Sequence, residues 1–116
     1  MFNAQLLIRT DSDVSVYSPW FPRQGDYIRV TAEYIAGDGD LDVDVFTKKS
    51  EETTDGGAAS GTTIGLTPTS SPSITTSEFS GINELVRYKM TCKKTTGSGQ
   101  WVLFRILPPV WFDAVS

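Results

Sequence analysis

The feature that most constrains this chain is a period-two alternation of apolar and polar residues that recurs along its length. In "GDYIRVTAEYI", Ile28, Val30, Ala32 and Tyr34 fall on one parity, and Tyr27, Arg29, Thr31 and Glu33 on the other. In "NELVRYKMTC", Val86, Tyr88, Met90 and Cys92 form the apolar set, with Arg87, Lys89 and Thr91 between them. In "GDGDLDVDVF", Leu41, Val43 and Val45 alternate with Asp40, Asp42 and Asp44. Side chains two apart share a face of a β-strand, whereas an amphipathic helix repeats every 3.6 residues. Helical periodicity is nearly absent, so the chain must fold as strands.

Eight strands are expected, at about 3–9, 13–18, 26–35, 40–47, 62–66, 73–79, 84–93 and 100–107. Turn signals separate them: Arg23-Gln24-Gly25-Asp26, Gly37-Asp38-Gly39, Gly56-Gly57 and Thr96-Gly97-Ser98-Gly99. Many short strands with glycine-rich turns and no crossover helices predict an all-β fold. We expect a single antiparallel β-sandwich, jelly-roll-like, over residues 1–116. Residues 50–83 are rich in Ser, Thr and Gly and contain Pro68 and Pro72. Ile64, Leu66, Ile74 and Phe79 punctuate that stretch, so it is read as edge strands joined by long exposed loops rather than as a linker.

With 116 residues, 39% of them hydrophobic, the chain is large enough for one domain with a packed core. A net charge of -4 argues against a nucleic-acid partner, which needs a basic face. The chain has no histidine, which removes His-based acid-base catalysis, His-dependent nucleophile triads and the usual zinc ligands. One cysteine, Cys92, excludes an internal disulfide and any cysteine-cluster metal site. Its place on the apolar parity of its strand predicts an inert buried thiol. The N-terminal segment lacks the pattern of a signal peptide, and no apolar run reaches membrane-spanning length. The expected location is the cytoplasm, or a virion if the protein is phage-borne.

The acidic alternation raises the question of calcium. An EF-hand needs oxygen ligands at positions 1, 3 and 5, glycine at 6 and glutamate at 12. Counted from Asp38, those last two positions hold Val43 and Lys49; counted from Asp40, position 6 is Val45. The motif is not an EF-hand. On a strand, alternate carboxylates lie roughly 6.5–7 Å apart, too far to converge on one cation unaided. Asp38, Asp40 and Asp42 remain weak metal candidates, needing a second loop. The simpler expectation is a solvated row of Asp40, Asp42 and Asp44 that blunts edge aggregation and pairs with Arg87 and Lys89. In an assembly, the same row is a candidate contact for a basic neighbour.

Two apolar elbows stand out: Pro19-Trp20-Phe21-Pro22 and Pro108-Pro109-Val110-Trp111-Phe112. Proline places both at strand ends or edges. Burial is the first expectation, with the elbows plugging the sandwich or packing on each other. Trp20, Phe21, Trp111 and Phe112 are also candidates for a partner interface, because interface cores favour such side chains. A third reading is a sugar-stacking platform on Trp20, Trp101 or Trp111, aided by Gln24, Asp26 or Gln100.

Paired carboxylates such as Glu33 and Asp42, or Glu51 and Glu52, are chance pairs among 14 acidic residues. No set of residues fills the roles of nucleophile, base and orienter, so no enzyme and no cofactor are expected. In size, strand topology and composition the chain resembles small β-sandwich virion proteins of tailed bacteriophages, which decorate or cement a capsid. No diagnostic motif carries that resemblance, and no family residue transfers to this chain. It implies many copies per particle and contacts formed at subunit junctions. The expected function is therefore a non-enzymatic structural protein, a capsid decoration or accessory protein. Its partners would be its own copies or a capsid-like assembly, with neither nucleic acid nor membrane. The alternative is a carbohydrate-binding, lectin-like module.

Overall fold

The computed structural model describes residues 5–10, 14–53, 55–93 and 100–113. Within them the chain forms strands β1 (Gln5–Thr10), β2 (Val14–Tyr17), β3 (Phe21–Pro22), β4 (Tyr27–Gly37), β5 (Asp40–Lys48) and β6 (Gly57–Ala58). There follow β7 (Ser60–Gly61), β8 (Ile64–Leu66), β9 (Ile74–Ser80), β10 (Leu85–Lys93), β11 (Gln100–Ile106) and β12 (Val110–Phe112). Each of the eight runs marked by alternation contains a strand. The Thr96–Gly99 turn signal, and residues 3, 4 and 13 of the expected strands, lie outside the described residues. The Ser/Thr/Gly-rich stretch holds four strands, β6 to β9, of which β6, β7 and β8 are three residues or shorter.

All pairings are antiparallel and divide into two sheets. The first runs β1-β11-β4-β9-β7, with β12 beside β4. The second runs β2-β10-β5-β6, with β3 beside β10 and β8 beside β5. Numbering the eight main strands (β1, β2, β4, β5, β8, β9, β10, β11) from one to eight gives sheets 1-8-3-6 and 2-7-4-5. That interleaving is a jelly roll.

The core lies between the sheets and is built by the alternation itself. Ile28, Val30 and Ala32 of β4, Leu41, Val43 and Val45 of β5, Val86 and Tyr88 of β10, and Val102, Phe104 and Ile106 of β11 are fully buried. Each Val, Leu, Ile or Phe side chain among them contributes about 1.5–3 kcal/mol on leaving water. Cys92 is buried among them. The loop stretch adds Ile64, Leu66 and Phe79 to the core, while Ile74 stays 38% exposed on the outer face.

Candidate functional site

The acidic row follows from the register of β5. Asp40, Asp42 and Asp44 point outward from the second sheet, each half-buried, while Leu41, Val43 and Val45 point in. The neighbouring β10 places Lys93 across from Asp40, Thr91 across from Asp42 and Lys89 across from Asp44. Lys93 reaches diagonally to Asp42, with Nζ to Oδ2 at 2.7 Å. The Asp44 carboxylate accepts a hydrogen bond from the Val45 amide at 2.8 Å. Asp38 is turned elsewhere, its Oδ1 accepting from the Trp101 amide at 2.9 Å. In return, the Asp38 and Gly39 amides donate to the Trp101 carbonyl at 3.0 and 3.2 Å. The Gly37-Asp38-Gly39 turn thus clasps one peptide of β11. Among the described residues, no group of three or more acidic or cysteine side chains is placed to hold a metal ion.

Arg87 does not pair with the acidic row. It stands across from Phe46, two residues beyond Asp44, in the unbroken β5–β10 register, and what covers it is set by a bulge between β2 and β3. Ser18 bonds Tyr88 in both directions: its amide donates to the Tyr88 carbonyl at 3.1 Å, and its hydroxyl accepts from the Tyr88 amide at 2.9 Å. Phe21 then pairs with Val86. Two residues, Pro19 and Trp20, are left facing one, Arg87. Pro19 has no amide hydrogen to give to a ladder, which suits that place. The extra residue re-aims the following side chain. Tyr17 and Trp20, three apart in sequence, consequently lie over the same outer face.

The result is a ladder of aromatic rings and cations across three strands. The Lys48 ammonium lies 4.7 Å from the Trp20 ring centre. The Arg87 guanidinium carbon lies 4.5 Å from the Trp20 ring centre and 4.0 Å from that of Tyr17. Tyr17 meets Phe46 edge-on at 6.2 Å, and the Lys89 ammonium lies 5.4 Å from the Phe46 ring centre. Each such cation-ring contact is worth about 0.5–1 kcal/mol at an exposed site and more where water is excluded. The Arg87 side chain is only 13% exposed.

The remaining elbow residues pack. Phe21 turns inward against Tyr88 at 5.4 Å and meets Trp111 edge-on at 6.5 Å, so the two elbows close one end of the sandwich together. Phe112 stacks on Tyr27 at 5.1 Å, with Arg29 also 5.1 Å from its ring. The three tryptophans are dispersed. Trp20 covers the outer face of the second sheet, Trp111 plugs the elbow contact, and Trp101 lies on the outer face of the first sheet. Gln100 is buried, and Asp26 is engaged by Arg23. No single sugar platform is assembled from these rings.

The outer face of the first sheet carries a further feature. Leu7 of β1 pairs with Leu103 of β11, and Arg9 with Trp101. Together these four line a shallow depression of about 380 Å³, and Leu7 is 58% exposed. Arg105 and Glu33 form an ion pair beside it at 2.5 Å. Strict alternation does not mark this strip, yet the sequence carries a signal for it. "LLI" at 6–8 and "WVLF" at 101–104 are unbroken apolar runs, and in a strand such runs must turn apolar side chains to both faces. Val110 (52%) is a further exposed aliphatic on this sheet.

Burial shifts two tyrosines. Tyr34 lies beneath the Gly37–Gly39 turn, donating its hydroxyl hydrogen to the Gly39 carbonyl at 2.7 Å. Its pKa is pushed up to about 12, first by burial and then by the negative charges of Asp38, Cys92 thiolate and Asp40. Tyr88, in the centre of the core, is pushed up further by burial alone. Both side chains are buried.

Comparison with family models, curated proteins and solved structures returns no match.

Proposed function

We propose that this chain is a non-enzymatic assembly protein that works through subunit contacts, decorating or joining a larger capsid-like particle. The observation that supports this reading is the Leu7-Trp101-Leu103 strip on the outer face of the first sheet. It joins aliphatic and aromatic area to a charged rim formed by Arg9 and the Arg105–Glu33 pair. An apolar centre with a polar edge is the make-up of an interface, and it supports a contact surface here. Jelly rolls serve in capsids and in lectins, so the fold is compatible with the reading without selecting it. The glycan-binding reading comes second, since Trp20, Trp101 and Trp111 lie apart and a sugar would have to stack on one of them alone.

The test is solution mass by light scattering, followed by electron microscopy of the protein with its assembly. Leu7→Asp and Trp101→Ala should abolish incorporation while leaving the fold intact. A wild-type chain that stays strictly monomeric and joins no larger particle would sink the proposal. Binding on a glycan array that is lost with Trp20→Ala, while assembly is absent, would favour the lectin-like alternative.

A further inference from the structure

The outer face of the second sheet is divided by charge along β5 itself. Asp40, Asp42 and Asp44 occupy one end, and Phe46 and Lys48 the other. Beside Phe46 stands Arg87, its guanidinium carbon over the rings of both Tyr17 and Trp20. A guanidinium engaged by rings through its charge has N–H groups left for other work. At Arg87 those groups find little. Nη2 lies 3.5 Å from the Asp55 carbonyl oxygen and 3.7 Å from its carboxylate, on a side chain 94% exposed. Nε is buried with no acceptor among the described residues. Contacts of 3.5 Å and beyond are at or past the limit of a useful hydrogen bond. The chemistry that satisfies the weakly engaged Nη2 is a carboxylate, taken end-on; the buried Nε is out of reach of a second molecule. At the other end of the same face, Asp42 alone of the three aspartates forms an ion pair among the described residues.

We infer that this face is a homotypic interface, occupied by a second copy of the chain. A two-fold axis lying in the contact plane and crossing the strands reverses strand direction between copies. It sets the Asp40–Asp44 end of one β5 against the Lys48–Arg87 end of the other. The match is then made twice, once at each end, as an isologous contact requires. The Lys48–Arg87 end of the contact carries Trp20, Tyr17 and Arg87, the three residue types that most often dominate binding energy at interfaces. The inference rests on the assembly reading and names one of its partners. It concerns the opposite face of the sandwich from the Leu7 strip.

The experiment is sedimentation equilibrium of the intact chain across concentration and salt. A dimer is expected, weakened about tenfold as ionic strength rises from 0.1 M to 1 M, where screening shortens from about 10 Å to about 3 Å. One variant carries Asp40→Lys, Asp42→Lys and Asp44→Lys; another carries Lys48→Glu and Arg87→Glu. Each alone should be monomeric, and an equimolar mixture should regain a dimer. Circular dichroism checks the fold of each. Should the reversals fail to fold, Asp40→Asn with Asp42→Asn and Asp44→Asn should still weaken the dimer. A wild-type monomer at all concentrations overturns the inference, as does a dimer indifferent to these changes or a mixture that stays monomeric. Capture of poly-glutamate by Lys48 and Arg87 without any dimer would likewise replace the second copy with a foreign acidic chain. Loss of association with Leu7→Asp alone would overturn this inference and leave the assembly reading standing.

Discussion

The hydroxyl of Ser18 accepts a hydrogen bond from the Tyr88 amide at 2.9 Å, in the gap where β2 stops and β3 has not begun. A side chain thereby takes the place of a ladder carbonyl at a buried position. The bulge that follows carries Trp20 over the outer face. One serine therefore links the core to the aromatic-cation ladder.

Ser18→Ala should cost about 1–3 kcal/mol, because it leaves the buried Tyr88 amide without its acceptor. It should also loosen Trp20 from Arg87. Urea unfolding followed by tryptophan fluorescence reads both effects. An unchanged midpoint with unchanged emission would show that the bulge does not depend on this hydroxyl.

Gly37 is required by close approach. A methyl group there would collide with the Trp101 carbonyl oxygen, at a φ of +150°. The backbone that must give way is the one clasped by Asp38 and Gly39. Gly37→Ala should destabilise by about 1–3 kcal/mol. Gly57→Ala is the matched control, since a methyl group there meets nothing within 4 Å. Its effect should stay within about 0.5 kcal/mol. Thermal melts of the pair decide the point.

Stability should fall on the alkaline side. Tyr34 ionises near 10 in the unfolded chain and at about 12 in the folded one. Between those values the unfolded state has released a proton that the folded state keeps, so rising pH favours unfolding. The contribution is complete below pH 10 and is lost as pH climbs through the window to about 12. Tyr88 acts in the same direction. Tyrosinate absorbance should therefore appear for these two only together with loss of near-ultraviolet circular dichroism. Full ionisation of all four tyrosines in a chain with native dichroism would contradict it.

Calcium should leave the thermal midpoint unchanged. Asp38 is committed to the Trp101 amide and Asp42 to Lys93, and the strand holds alternate carboxylates roughly 6.5–7 Å apart. A ligand that binds only the folded state must raise its stability. A rise in midpoint at saturating calcium, reversed by chelator, would show that another loop completes a site.

Eight of the twelve strands of the described residues, with their faces and the core, were legible in the sequence as parity; β3, β6, β7 and β12, each of two or three residues, were not. The inward set of β4, β5 and β10 is the one that alternation predicts, because a strand offers two faces and burial takes the apolar one. Parity also put the aspartates on the wet face and Lys89 beside them. It could not say that Trp20 and Tyr17 share a face. Counted by twos from Tyr17, Trp20 falls on the wrong side, and only the bulge at Pro19 corrects the count. The elbows were legible as aromatic, yet their division of labour was not. Phe21 and Trp111 meet because β3 and β12 end at the same edge of the sandwich.

The sequence by itself determined that this is an all-β chain with one core, one buried thiol and one acidic outward row. Those follow from local rules: side chains alternate along a strand, and apolar ones leave water. Tertiary structure alone decided which cations reach which rings. It also turned Arg87 from the acidic row to Tyr17 and Trp20, and joined Leu7, Trp101 and Leu103 into one surface. The physical reason is register. A pairing between strands distant in sequence fixes which side chains are neighbours, and a single bulge shifts that pairing by one residue.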